Sequence, residues 1–217
     1  MKKIFALKNF LKILLFLAGL LLTAWIFMPW RQVGEAALLS ASRRLPASAS
    51  ITYSTVRSAR NGFTVNNLEI RNLMGADGMM GRVDMYFNTL TITPNITASI
   101  LGMAPSSLVS FTGASIGDVA VTPLRTLPGV APGSGRVAVS VNRQGIFLDS
   151  LRSDGELSAI GSILLDPSEM RILWADMAMD VRSEAFEENL SIAASIFGLP
   201  LNQEGPGRWT LRRTMGQ

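Results

Sequence analysis

The chain of 217 residues has no cysteine and no histidine. The first absence excludes disulfides and thiolate chemistry. The second removes Ser-His-Asp and Cys-His triads, imidazole bases and every common zinc site. Only carboxylate pairs or carboxylate-bound hard cations remain as sources of catalysis. Lysine is scarce and confined: Lys2, Lys3, Lys8 and Lys12 are the whole set, and no acidic residue precedes Glu35. Five of the 20 basic residues and none of the 16 acidic ones lie at or before Arg31, so the pI near 10.0 belongs to the start of the chain. The remainder is slightly acidic. A nucleic-acid-binding domain carries its positive excess on the folded part, so this distribution argues against a nucleic-acid partner.

What the chain does have is an uncharged run of sixteen residues, Ile13 to Met28, whose only hydroxyl is Thr23. As a helix that run covers about 24 Å, short of the roughly 30 Å hydrocarbon layer. Its flanks supply the difference: Phe10 and Leu11 extend it, Lys12 snorkels back to the headgroups, and Trp25 and Trp30 suit the far interface. Lys12 and Ile13 therefore mark one end of a membrane anchor, and Met28 and Trp30 the other. Lysines before the run and Arg31 alone just after it leave the N-terminus in the cytoplasm and export the body, into the periplasm in a bacterium. A cleaved signal peptide is the rival reading, but Leu22-Thr23-Ala24, the nearest small-residue site, places leucine where a small residue belongs.

The expected organisation is a cytoplasmic start and anchor over 1–30, a juxtamembrane helix and linker over 31–48, and one β domain over 49–217. Pro29 stops the membrane helix. Val33, Ala37, Leu38, Ala41 and Leu45 then recur at helical spacing, with Glu35 early and Arg43-Arg44 late, near the membrane surface or simply matching the helix dipole. Beyond Ser48 the texture is alternating and β-branched, an antiparallel pattern. Strands are expected at 50–57 and 63–71 around the Arg60-Asn61-Gly62 turn, with Asn-Gly as its turn chemistry, then at 79–87, 90–93, 107–111 and 115–121. A short helix or cover is expected over 94–102. Leu124 to Gly135, rich in proline and glycine, predicts a connection or flexible insert. Strands resume at 137–141, from Ile146, at 157–165 and at 172–181, where a parity slip between Ile172/Trp174 and Met177/Met179/Val181 predicts a bulge. A soluble helix over 186–197 is capped by Ser183 and ended by Gly198 and Pro200, and a last strand spans 208–212. The fold class is mainly β: one N-terminal transmembrane helix, then a curved antiparallel sheet with one or two packed helices.

No site stands out as catalytic. Asp176, Asp180, Glu184, Glu187 and Glu188 straddle a strand end and a helix start, which fits helix-dipole matching better than a calcium loop. The eleven methionines suit core filling, with a lipid-contacting groove as the other reading. The glycine runs lack the strand-loop-helix context and the Gly-Lys-Ser/Thr of a nucleotide loop. Hence no metal or cofactor is expected, and no enzymatic activity.

Several segments together resemble a known family. They are Trp25-x-x-x-Pro29, Tyr53-Ser-Thr-Val-Arg, Gly62-Phe-Thr-Val-Asn-Asn-Leu-Glu-Ile-Arg, Leu90-Thr-Ile-Thr-Pro leading to Ile100-Leu-Gly, Gly135-Arg-Val-Ala-Val, Gly155-Glu-Leu-Ser-Ala-Ile-Gly and Gly205-Pro-Gly-Arg-Trp-Thr-Leu. The order is similar to the type II secretion system protein N (GspN) family and, more broadly, to AsmA-type membrane-anchored β proteins. The first resemblance implies a single-pass inner-membrane protein of a Gram-negative envelope, whose periplasmic domain contacts secretion-system proteins. The second implies a groove that binds or transfers lipid acyl chains.

Overall fold

The computed structural model describes residues 15–17, 19–20, 23–25, 27–45, 49–73, 83–101, 104–122, 125–166, 172–196 and 200–214. Helix α1 (Trp30–Arg44) starts three residues before the apolar spacing predicts. Arg31 and Glu35 form an ion pair of 2.9 Å along its first turn. It packs on the first strands, and closely: a Cβ on Gly34 would lie 2.6 Å from the Phe63 ring. The predicted stop at Pro46 lies outside the described residues.

The first edge of the sheet is a broken strand. β1 (Ser50–Thr52) and β2 (Thr55–Ala59) both pair antiparallel with β3 (Gly62–Leu73), β1 with its far end and β2 with its near end. The expected hairpin is present, but its two turn residues are Arg60 and Asn61. Gly62 already opens β3, where a side chain would meet the Ile92 carbonyl. β4 (Val83–Pro94) joins the two short strands expected there into one; residues 79–82 of that expectation lie outside the described residues. Asn95 Oδ1 accepts a bond of 3.0 Å from Ala98 N and starts the short helix α2 (Ile96–Leu101), as expected.

β5 (Ser106–Ile116) is likewise one strand where two were expected. The hairpin β6 (Val119–Thr122) and β7 (Arg125–Leu127) stands apart as a two-stranded sheet. The Pro/Gly-rich stretch is not an insert: β8 (Val130–Asn142) begins inside it, with Gly133 at φ +73°. Glycine can sit in a strand at a bulge, and that use hides the strand from a composition reading. β9 (Gly145–Ser153), β10 (Leu157–Leu165) and β11 (Ile172–Val181) follow in antiparallel order. Helix α3 (Glu184–Ile196) begins after Ser183, whose Oγ accepts from Phe186 N at 3.4 Å; its expected end at residues 197–199 lies outside the described residues. β12 (Leu201–Gly205), absent from the sequence expectation, pairs with β13 (Arg208–Arg213) and forms the other edge.

The eleven-stranded sheet is thus continuous, β1/β2-β3-β4-β5-β8-β9-β10-β11-β13-β12. Its inner face carries both core clusters. One gathers Trp30, Val56, Phe63, Val65 and Leu68; the other gathers Ala159, Ala175, Met177 and Leu211.

A seam crosses five neighbouring strands between them. Inward residues recur every second position in β3 up to Val65, then resume at Leu68 and Ile70, leaving Asn66 and Asn67 both outward. β5 skips from Phe111 to Ala114 and β4 from Leu90 to Phe87 in the same way, and matching skips follow in β8 and β9. Asn67, Gly113, Gly133 and Ser150 adopt left-handed φ of 49°, 57°, 73° and 53° at these places. In β5–β8 and β8–β9 the skips are register shifts, and such bulges add bend and twist. The sheet curls accordingly: Met85 and Phe87 of β4 line the same hollow as Met177 and Met179 of β11. In a flat sheet these strands, five spacings apart, would be separated by about 24 Å.

Candidate functional site

Two of the four residues that mark the anchor, Lys12 and Ile13, lie outside the described residues. Met28 is exposed, but Trp30 is not at a boundary with lipid. It is 4% exposed, packs with Val56 and Phe63, and meets Trp25 edge-on at 4.6 Å. Its ring belongs to the core because the first turn of α1 lies directly on β2 and β3. Among the described residues no helix is long and apolar enough to cross a membrane. The described parts of 10–30 nevertheless expose Leu15, Phe16, Leu17, Leu20 and Phe27.

The acidic run resolves into separate partnerships. Asp176 and Asp180 face Arg212 and Arg208 across β11 and β13, at 3.5 and 4.0 Å. Glu187 Oε1 accepts from Gly207 N at 2.6 Å and from Gln203 Nε2 at 3.0 Å, which ties α3 to the β12–β13 turn. Near the opposite edge Glu69 accepts from Arg71 Nε at 2.5 Å and from Thr52 Oγ1 at 3.2 Å. The Arg71 hydrogen bond, with its charge and the Thr52 hydroxyl behind it, holds the Glu69 carboxyl below the usual carboxylate range. The same pair raises Arg71. These contacts set charge against charge along strands and hairpins.

Among the described residues two apolar hollows stand out. The inner one, about 230 Å³, lies between the two core clusters and is lined by Phe87, Phe111, Ile116, Leu151, Met177 and Met179 among others. The outer one, about 650 Å³, opens on the other face at the far ends of β9, β10 and β11. There Phe147, Leu164 and Trp174 stand directly opposite one another on successive strands. Leu164 is buried beneath them at 4% exposure, and the Phe147 and Trp174 rings lie 6.0 Å apart at a tilt of 40°. The parity slip in β11 makes this arrangement: the register shifts between Trp174 and Ile172, turning Ile172 inward with Ala175 and Met177 and Trp174 outward. The sequence reading foretells a slip in this strand but sets it after Trp174, with Ile172 and Trp174 on one face; it lies before Trp174, at Leu173, and puts the two on opposite faces.

A family model described as type II secretion system protein GspN-like, Synergistales, matches residues 7–213. The chain belongs to this GspN-like family. No curated protein and no solved structure matches it. The match to this GspN-like chain runs from the apolar N-terminal segment through β13, so both core clusters, the inner hollow and all of the outer hollow's lining but Thr214 fall inside it. The AsmA-type resemblance has no match beside it.

Proposed function

We propose that this protein is a non-enzymatic component of a type II secretion system, held in the bacterial inner membrane by residues 10–28 with its N-terminus in the cytoplasm and its β domain in the periplasm, and that it works through protein contacts. The observation that carries the contact role is the outer hollow. Solvated sheet faces are ordinarily polar, and a cluster of Phe147, Leu164 and Trp174 on one is the residue chemistry of an interface centre. Family membership supports the secretion setting. The exposed leucines and phenylalanines between Leu15 and Phe27 support the anchor.

The test is affinity capture of the full chain from cross-linked envelopes of its native host. Type II secretion proteins should be recovered with the native chain and lost with Phe147→Ser/Trp174→Ser, whose folding is checked by circular dichroism. Recovery unaffected by that pair overturns the contact role.

A second reading rests on the inner hollow. Lined almost wholly by carbon and methionine sulfur, it suits part of a lipid acyl chain. Organic extraction of the purified full chain followed by mass spectrometry distinguishes the two: stoichiometric phospholipid supports the lipid reading, and a clean extract removes it.

A further inference from the structure

Across β11 and β13 the outer face of the sheet sets opposite charges against each other. Asp176 stands opposite Arg212 and Asp180 opposite Arg208 on β11 and β13. In the middle of the same face Arg136 of β8 stands directly opposite Arg152 of β9. Directly opposed side chains start about 5 Å apart, and like charges there destabilise a sheet. Among the described residues neither arginine makes an ion pair or a side-chain hydrogen bond. The next strand outward on one side offers Ser110 opposite Arg136, and on the other Ile160 opposite Arg152. Asp149, three residues along β9 and opposite Ala138, accepts from the Ser162 hydroxyl at 2.7 Å and pairs with neither arginine.

The pair also sits in a hollow of about 470 Å³ with Ser150 and Ser162 in its lining and an apolar side chain on either side. Leu108 of β5 is 41% exposed and Ile160 of β10 is 52% exposed, on either side of the arginines. Three strand spacings separate β5 from β10, about 14 Å. An extended peptide places side chains i, i+2 and i+4 on one face over about 13 Å. Two exposed apolar residues flanking two unpaired guanidinium groups therefore match a short extended segment with an acidic residue between apolar ones. A free phosphate would have no use for the flanking apolar side chains, and an acyl chain needs a channel where these are two separate side chains.

We propose that Arg136 and Arg152 anchor a docking site for an extended apolar-x-acidic-x-apolar segment of a partner protein. One carboxylate of the segment lies between the two guanidinium groups, and its apolar neighbours rest on Leu108 and Ile160. Bidentate arginine contacts fix the carboxylate's position as well as its charge. This deepens the protein-contact reading above and rests on it only for the partner being a protein.

The test uses the full chain in phosphatidylcholine nanodiscs and the fluorescein-labelled peptide Leu-Ser-Glu-Ser-Leu, read by anisotropy. Binding should weaken at least about tenfold when the peptide glutamate becomes glutamine or when Arg136→Glu is introduced. Arg136→Glu should at the same time raise the Tm by about 1–2 °C, because it turns a like-charge pair into an opposite one. Affinity indifferent to either change overturns the site, and so does a fall in Tm, which would mean that the arginines serve the fold. Arginine-dependent binding of vesicles containing phosphatidylglycerol, without peptide binding, overturns it in favour of lipid. If capture of secretion proteins fails while the peptide still binds, the secretion reading falls and the site stands. If capture persists in Arg136→Glu and the peptide does not bind, the site alone falls.

Discussion

Single side chains hold the first core cluster together. Phe63 is nearly fully buried against Trp30, Val56 and the face of α1 at Gly34. Phe63→Ala should cost about 3–5 kcal/mol, measured by urea unfolding of the full chain in detergent, since the helix cannot collapse into the space without losing its seat on β2. Glu69 poses a charge problem of a different kind. Its carboxyl titrates below its ordinary value of 4.5, so the stabilisation it brings is present above that value and is lost as pH falls through the lowered one. In Arg71→Ala an NMR titration should show Glu69 moving up toward 4.5. The midpoint of acid unfolding should hardly move, because the pair is exposed to solvent screening. Trp30 shows where residue-level reading reaches its limit. A tryptophan after an apolar run and a proline fits the lipid interface by composition. Only the packing of α1 on β2 and β3 reveals it as a core residue.

Among the elements, the β9–β10 hairpin depends on a hydroxyl. Ser153 is buried; its Oγ donates to Leu157 O at 3.0 Å and accepts from Ala159 N at 2.9 Å. Ser153→Ala leaves a buried amide without a partner and should cost about 1–3 kcal/mol, whereas Ser153→Thr should recover part of that loss, both read as shifts in urea midpoint at constant m. Strands of this kind were legible where β-branched residues alternate, as Val137, Val139 and Val141 do in β8. They were illegible where they bend. Gly133 and the prolines beside it read as a linker, and β4 and β5 read as pairs of short strands, because Asn88-Thr89 and Thr112-Gly113 interrupt their alternation at the seam. Asparagine or glycine inside an otherwise alternating run was the available signal for a bulge. β12, Leu201-Asn-Gln-Glu-Gly, has almost no apolar pattern and owes its conformation to pairing with β13.

On the scale of the whole molecule, one sheet carries two core clusters that are separate among the described residues, with an apolar hollow between them. Stability should therefore be uneven along the sheet. Hydrogen exchange of the full chain should show two maxima of protection, over β3–β4 and over β10–β11, and Phe63→Ala should erode the first far more than the second. Equal loss in both would mean that the sheet opens as a single unit. At this scale the sequence foretold an antiparallel β body and a late packed helix. The position of the candidate contact surface, by contrast, depends on register: Phe147, Leu164 and Trp174 lie far apart in the chain and become neighbours only through strand pairing, as Arg136 and Arg152 do.

The line of left-handed residues makes every long strand it crosses two half-strands welded end to end, each half keeping its own inside-outside rhythm. A lost or added residue at the weld is absorbed by the bend. The same change three residues away would turn half a strand inside out, presenting phenylalanine to water and threonine to the core. Length variation among sister sequences should thus gather at the welds and at the hairpin tips, and the intervening stretches should keep their residue count even where their letters drift.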